Sequence, residues 1–327
     1  MKKCIVTGGC GFIGSHLAEK LIVLGYQVII LDNLSNGTLL NIKYIKKKIK
    51  FIKCDISKKG SWQKHFKNAN LVFHFAALAD IVPSIQKPEE YFNANVVGTL
   101  NVLESSRQFK VKKIIYAASS SCYGIPKNYP TNEKEQVNPI YPYAITKKIG
   151  EDLLLDWSKI YGLNVTSLRF FNVYGLRSRT SGTYGAMFGV FLAQKLNNRQ
   201  LTIVGNGKQK RDFLNVKDAV KAIVSAAKIK ESNLIINIGS GKTYSVEYIA
   251  NLICKKSRTY LPKRPGEPDI TWANIALAKK KLKWVPKVNI EIGVKELLEN
   301  INYWKKAPIW DKKNIKKVTK DWFKYLS

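Results

Sequence analysis

Residues 6–16 read VTGGCGFIGSH. Three glycines at intervals of three, Gly8, Gly11 and Gly14, follow an apolar run and open an amphipathic stretch. Glycine allows a tight turn, lets the backbone approach a pyrophosphate, and packs a helix closely on a strand. The free N–H groups of the helix's first turn, at Phe12 and Ile13, then face the phosphates. The spacing differs by one position from the usual dehydrogenase form. Asp32 stands eighteen residues beyond Gly14, at the end of the second apolar run. A carboxylate there accepts hydrogen bonds from an adenine-ribose diol and repels a 2′-phosphate, which favours NAD over NADP. The plainer alternative is a buried strand with a turn aspartate.

Outward from this turn, short apolar runs alternate with helical patterns. KCIVTG (3–8), QVIILDN (27–33), IKFIKCD (49–55), LVFHFAA (71–77), KKIIYAASS (112–120) and NVTSLRFFN (164–172) read as strands. Helical periodicity covers 15–24, 90–108 and 142–161. Apolar strands separated by helices imply a parallel sheet covered on both faces: an α/β chain with a Rossmann-type doubly wound sheet. From residue 172 the pattern loosens, with turn signals at VGNGKQ, NIGSGK and KRPGEP. The expected division is a dinucleotide-binding domain over 1–171 and a smaller C-terminal substrate-binding lobe over 172–327, with parts of 213–245 returning to the first.

A chain of 327 residues has ample apolar sequence for a full core. Cys4, Cys10, Cys54, Cys122 and Cys254 are scattered and odd in number, without metal-site spacing, so neither a disulfide framework nor a metal site is expected. Cysteine usage points to a reduced, cytoplasmic protein. Glycines interrupt the first apolar run and no stretch reaches the length of a membrane span, so neither signal peptide nor spanning helix is expected. The net charge is +32, yet only 8 of the 55 basic residues are Arg and the lysines are spread along the whole length. A diffuse lysine charge reads as a solvated surface rather than a specific nucleic-acid footprint, although it attracts small polyanions. The basic stretch KKAPIWDKKNIKKVTKDWFKYLS (305–327) reads as a docked terminal helix, with an interfacial membrane helix as the alternative.

AASSSCYG (117–124) and YAITK (143–147) bear on chemistry. Tyr143 and Lys147 share a helix face at i and i+4, so the amine can lower the phenol's pKa from about 10 toward neutrality, as a base acting on a sugar hydroxyl requires. Ser119 falls at the end of the fifth strand, where doubly wound sheets bind ligands, and can share or relay the proton.

With these motifs the chain resembles, over nearly its full length, the extended short-chain dehydrogenase/reductases of the NAD-dependent nucleotide-sugar epimerase/dehydratase family. It is most similar to those acting as UDP-glucose or UDP-N-acetylglucosamine 4-epimerases. The resemblance implies Ser119, Tyr143 and Lys147 as the catalytic group. It implies NAD contacts at Gly8, Gly11, Phe12, Ile13, Gly14, Asp32, Asn33, Asp55, Ile56, Phe75, Ala76, Ala77, Leu78, Asn95 and Phe170, besides Tyr143 and Lys147. For the nucleotide diphosphate it implies Asn172, Arg211, Arg264 and Glu267; paired guanidinium hydrogen bonds suit a diphosphate. Ser84, Ser119, Ser120, Ser121, Tyr143 and Thr271 would meet the sugar.

Related 4,6-dehydratases and decarboxylases are expected to carry a carboxylate just after the position of Ser119, where this chain has Ser120 and Ser121. That favours C4 epimerisation through a transient 4-keto sugar. Cys122, one residue before Tyr123, is expected to face away from Ser119 by strand alternation and to be a packed small side chain. Thr271, seven residues after Arg264, is small where members restricted to plain hexoses tend to carry Tyr, so an N-acetyl group should fit. A homodimer through helices 90–108 and 142–161 is expected from the same resemblance. The competing readings are a nucleotide-sugar 4,6-dehydratase or decarboxylase, and an NAD-binding protein that contacts RNA or serves as a scaffold.

Overall fold

The computed structural model describes residues 1–178, 187–255 and 258–326. The first half comprises β1 (Lys3–Thr7), α1 (Phe12–Val23), β2 (Gln27–Asp32), β3 (Ile49–Lys53) and β4 (Leu71–His74). It continues with the short helices α2 (Ile81–Gln86) and α3 (Pro88–Phe92), then α4 (Gly98–Gln108), β5 (Lys113–Ser119), α5 (Pro142–Tyr161) and β6 (Val165–Phe170). Next come β7 (Val173–Tyr174), α6 (Met187–Leu196), β8 (Leu201–Val204), β9 (Lys210–Arg211), β10 (Leu214–Asn215), α7 (Val216–Ala226) and β11 (Leu234–Ile238). The remainder is β12 (Tyr244–Ser245), α8 (Val246–Ile253), β13 (Arg258–Leu261), β14 (Ile270–Thr271), α9 (Ala276–Leu282), α10 (Ile290–Glu299), α11 (Lys312–Val318) and α12 (Lys320–Tyr325).

Seven parallel strands form the main sheet in the order β11-β6-β5-β4-β1-β2-β3. Both faces are covered, as the continuous apolar runs require. Cys4 and Val6 point into the core beneath α1 and α7, while Ile5 points into the core shared with α4 and α5, which is the alternation of a strand. The order reverses between β1 and β4, so a crevice opens at the carboxyl ends of these strands. Register aligns those ends: Thr7 lies opposite Leu31 and His74, and Ser119 opposite Phe170. The second apolar cluster gathers Tyr174, Phe191, Leu201, Ile249, Trp304 and Trp322 from the elements outside the main sheet.

Six strands stand where the apolar runs place them, and β11 adds a seventh, beside β6. Helix α5 has the expected bounds because Pro142 fits its first turn and Gly162, at φ +70°, ends it. The helical pattern over 90–108 is divided by a π-helical turn, Asn93–Val97, which turns Asn95 toward the loop after β4. Cys122 is not on a strand. Residues 120–123 form a 3-10 turn, and Cys122 packs with Tyr123, Phe171, Ala273 and Ile275, so this four-residue turn rather than strand parity decides its direction. Burial pushes its thiol up to about 12. The 305–326 segment docks on the body through buried Ile315 and Trp322. Among the described residues no helix is long and apolar enough to cross a membrane.

Candidate active site

The turn after β1 is shaped by steric need. Gly8 has φ +69°, and a Cβ there would lie 2.7 Å from the Ala76 nitrogen; at Gly14 it would run into the Gly8 carbonyl. No side chain caps α1, whose N-cap is Gly11, so its first-turn amides remain available to an anion. Asp32 is buried, and its two carboxylate oxygens accept from the Cys10 and Leu34 amides at 2.9 and 2.8 Å. Each oxygen keeps a lone pair for a ribose hydroxyl. Burial pushes the Asp32 pKa up while these two amides pull it down. Further along the crevice, Asp55 accepts from Ser57, Asn33 accepts from the Ser35 amide, and Ile56 is buried against α4. Phe75 and Phe170 approach to 6.1 Å between ring centroids. The cradle fits a dinucleotide.

Beneath it lies a polar chain that the motifs did not disclose. His74 bridges Thr7 and Thr99 through Nδ1 (2.7 Å) and Nε2 (2.9 Å). The Thr99 hydroxyl donates to the Asn95 carbonyl, which assigns the imidazole proton to Nε2 and leaves Nδ1 to accept from Thr7. The Thr7 oxygen in turn accepts from the Phe75 and Ala76 amides, both at 3.2 Å. Burial, and the charge of Lys147, push His74 down to about 3. Asn95 completes the brace: its amide accepts from the Leu78 N–H and donates to the Leu78 carbonyl and to Thr146. The Asn95 side chain therefore fixes the 75–78 loop instead of reaching the crevice.

On α5, Tyr143 is half-buried, and the Ser119 hydroxyl acts on its phenol. Ser119 accepts from the Ser121 amide at 3.1 Å, which leaves its own proton to donate. Burial pushes the Tyr143 pKa up, the Ser119 hydroxyl pulls it down, and the carboxylate of Asp80 raises it further. The expected phenolate is thus not produced by the chain's own side chains. The Lys147 ammonium instead lies 4.2 Å over the Tyr116 ring. Burial lowers Lys147 to about 7, opposed by Glu151 one turn along the same helix face. Glu151 is itself held by Arg169 and Ser167. Neither Asp80, at the start of α2, nor Tyr116, inside β5, carries a motif that marks it from sequence.

Of the residues expected to hold substrate, Asn172 and Thr271 meet, with the Asn172 amide donating to Oγ1 at 2.9 Å. Arg211 pairs with Glu267 at 3.1 Å, and Arg264 lies 4.0 Å from the same carboxylate. The Ser121 side chain pulls the Tyr141 phenol's pKa down against the push of burial. Ser120 is half-buried in the same turn. Ser84 departs from its expected place. It is fully buried and its hydroxyl donates to the Ile81 carbonyl at 2.6 Å within its own helix, because Ser at this depth satisfies itself on the backbone. Among the described residues no group of three or more His, Cys, Asp or Glu is placed to hold a metal ion.

Proton transfer at a hydroxyl, beside a dinucleotide cradle at the switch point of a doubly wound sheet, is the business of the short-chain dehydrogenase/reductase class, and fold and site assign the protein to it. More narrowly, the chain belongs to the NAD dependent epimerase/dehydratase family, whose model matches residues 4–239, and NAD is its cofactor. The UDP-glucuronate 4-epimerase of Thermodesulfobacterium geofontis is 33% identical over 330 residues, covering 96% of this chain and 97% of that protein. The UDP-glucose 4-epimerase of Thermotoga maritima, solved with UDP-glucose, superposes with a TM-score of 0.86 at 34% identity, covering 93% of this chain and 99% of that one. The UDP-N-acetylglucosamine 4-epimerase of Methanobrevibacter ruminantium, solved with UDP-N-acetylmuramic acid, gives 0.85 at 32%, covering 91% and 99%.

Proposed function

We propose that the protein is a UDP-sugar 4-epimerase, inverting C4 of a UDP-hexose, UDP-N-acetylglucosamine/UDP-N-acetylgalactosamine or UDP-glucose/UDP-galactose, through a transient 4-keto sugar. The observation that carries this is the placing of the Ser119 hydroxyl where it pulls the Tyr143 phenol's pKa down, at a turn whose next residues, Ser120 and Ser121, offer no carboxylate. Elimination of water or handling of a carboxylate intermediate calls for an acid or base at that turn; removal and return of one proton does not. Bound NAD supplies the acceptor and donor for the C4 hydride. Tyr143 takes the O4 proton, directly or through Ser119, and returns it after the ketone has turned over. Since the side chains alone leave Tyr143 above its ordinary pKa, the base is active only in the assembled complex. Arg211 and Arg264 hold the diphosphate while the hexose rotates about it.

The substrate class draws support from the three 4-epimerases named above, and the N-acetyl preference from the small side chain of Thr271. The test is proton NMR of UDP-N-acetylglucosamine and, separately, UDP-glucose with the protein and catalytic NAD. The axial C4 epimer should appear, reaching the same mixture from either direction. A 4-keto-6-deoxy or decarboxylated product would overturn the reading in favour of a dehydratase or decarboxylase.

A further inference from the structure

The 305–326 segment lies beyond the region matched by the family model, yet it reaches the site. Trp322, at 3% exposure, donates through its indole N–H to the Pro265 carbonyl at 2.8 Å. Its ring lies 5.3 Å from the Arg264 guanidinium carbon, within the range in which an indole face attracts a cation. The same ring meets Tyr141 at 6.0 Å between centroids, and Tyr141 in turn stands where the Ser121 side chain acts on its phenol. Behind it, Gln86 of α2 donates to the Val318 carbonyl at 3.2 Å, and the Asp311 carboxylate caps α11. Next to Trp322, Phe323 forms part of the wall of a 540 Å³ cavity whose other walls are Ile125 and residues 263–269.

One indole thus touches both ends of the candidate substrate site: the Arg264 loop, and the Tyr141–Ser121 pair beside the catalytic turn. We propose that Trp322 is a positioning residue for nucleotide-sugar binding, holding the Arg264 loop at a fixed distance from the Ser121 turn. The inference deepens the 4-epimerase reading and rests on Arg264 meeting the diphosphate. A rigid indole suits this task because its face steadies the guanidinium, its N–H fixes the Pro265 carbonyl, and its ring packs at a tilt on Tyr141. Charge neutralisation alone would not need the ring, since Glu267 already faces Arg264.

The experiment compares the NAD-loaded wild-type protein with Trp322→Leu and Trp322→Phe, measuring UDP affinity by calorimetry and the KM and kcat of epimerisation, with NAD content and thermal midpoint as controls. Trp322→Leu should weaken UDP binding and raise KM about tenfold, with kcat changed less than threefold, as loss of a desolvated cation–ring contact implies. Trp322→Phe, which keeps a ring face but loses the N–H, should recover part of that loss at an unchanged thermal midpoint. Equal UDP affinity in wild type and Trp322→Leu would overturn the proposal while leaving the 4-epimerase reading standing. Failure of the wild type to bind UDP at all would take both. A fall in kcat with KM unchanged would also overturn it, since positioning of the diphosphate acts on binding.

Discussion

At the scale of residues, the site turns on two groups whose burial works against their charge. Tyr143 sits above its ordinary pKa and Lys147 is lowered to about 7. Tyr143→Phe removes the phenol on which Ser119 acts while sparing the glycine cradle; NAD should be retained and turnover should fall about a hundredfold or more, the usual scale for a positioned general base. Near-wild-type turnover would mean that another group takes the proton. Lys147 makes a separate prediction about stability. Its folded pKa lies below the unfolded value of 10.5, so between about pH 7 and 10.5 the unfolded chain holds the extra proton and stability rises with pH. Below about 7 the cost of burying the ammonium is present in full. Lys147→Met removes that cost, so its gain in urea midpoint over wild type should be largest near pH 6.5 and shrink by pH 9.5. A gain independent of pH would show that the ammonium is not desolvated.

At the scale of elements, α5 and β5 are fitted to each other at one point. Glycine inside a helix costs about 1 kcal/mol relative to alanine, yet Gly150 stands in the middle of α5 because a Cβ there would meet the Tyr116 hydroxyl. That hydroxyl donates to the Lys147 carbonyl at 3.2 Å, and the ring carries the Lys147 ammonium. Gly150→Ala should therefore destabilise the fold by about 1–3 kcal/mol, the scale of overpacking, despite its better helix propensity. In a Tyr116→Phe background the same substitution should cost about 1 kcal/mol less, a coupling that urea unfolding of the four proteins would reveal. Strictly additive effects would mean the hydroxyl does not occupy that space. Such pairings also mark where the sequence stops being legible. The places of Gly8, Gly14, Asp32 and Tyr143 could be read because they depend on spacing along one or two elements; Lys147 was placed by the same spacing, but not its contact with Tyr116. The roles of His74, Asp80 and Tyr116, and the bracing role of Asn95 in place of the expected NAD contact, could not, because they arise from contacts between distant segments brought together by the sheet register. The break in the 90–108 helix was hidden likewise, since it coincides with the bond by which Asn95 accepts from the Leu78 amide seventeen residues earlier. Ser84 was misplaced because sequence carries its position along α2 but not its depth.

At the scale of the whole molecule, the charge of +32 remains. Lysines stand exposed on well-separated segments, as at Lys46–Lys48 and at Lys279 and Lys280, and a charge spread in this way is expected to act as a diffuse field rather than as a nucleic-acid track. A diffuse positive field would still draw in the UDP-sugar proposed above, whose diphosphate carries two charges, and its reach is set by the screening length, about 10 Å at 0.1 M salt and about 3 Å at 1 M. Binding should therefore weaken with salt while the chemical step, buried in the crevice, should not change. For the epimerisation proposed above, kcat/KM should fall several-fold between about 20 mM and 500 mM salt, almost wholly through KM. An RNA oligonucleotide at the low-salt end should neither inhibit turnover nor bind with the steep salt slope of a counterion-releasing interface. If kcat/KM were flat across the range, the lysine surface would have no part in substrate capture. If RNA bound tightly and competed, the basic surface would be a nucleic-acid site that the geometry of the crevice does not require.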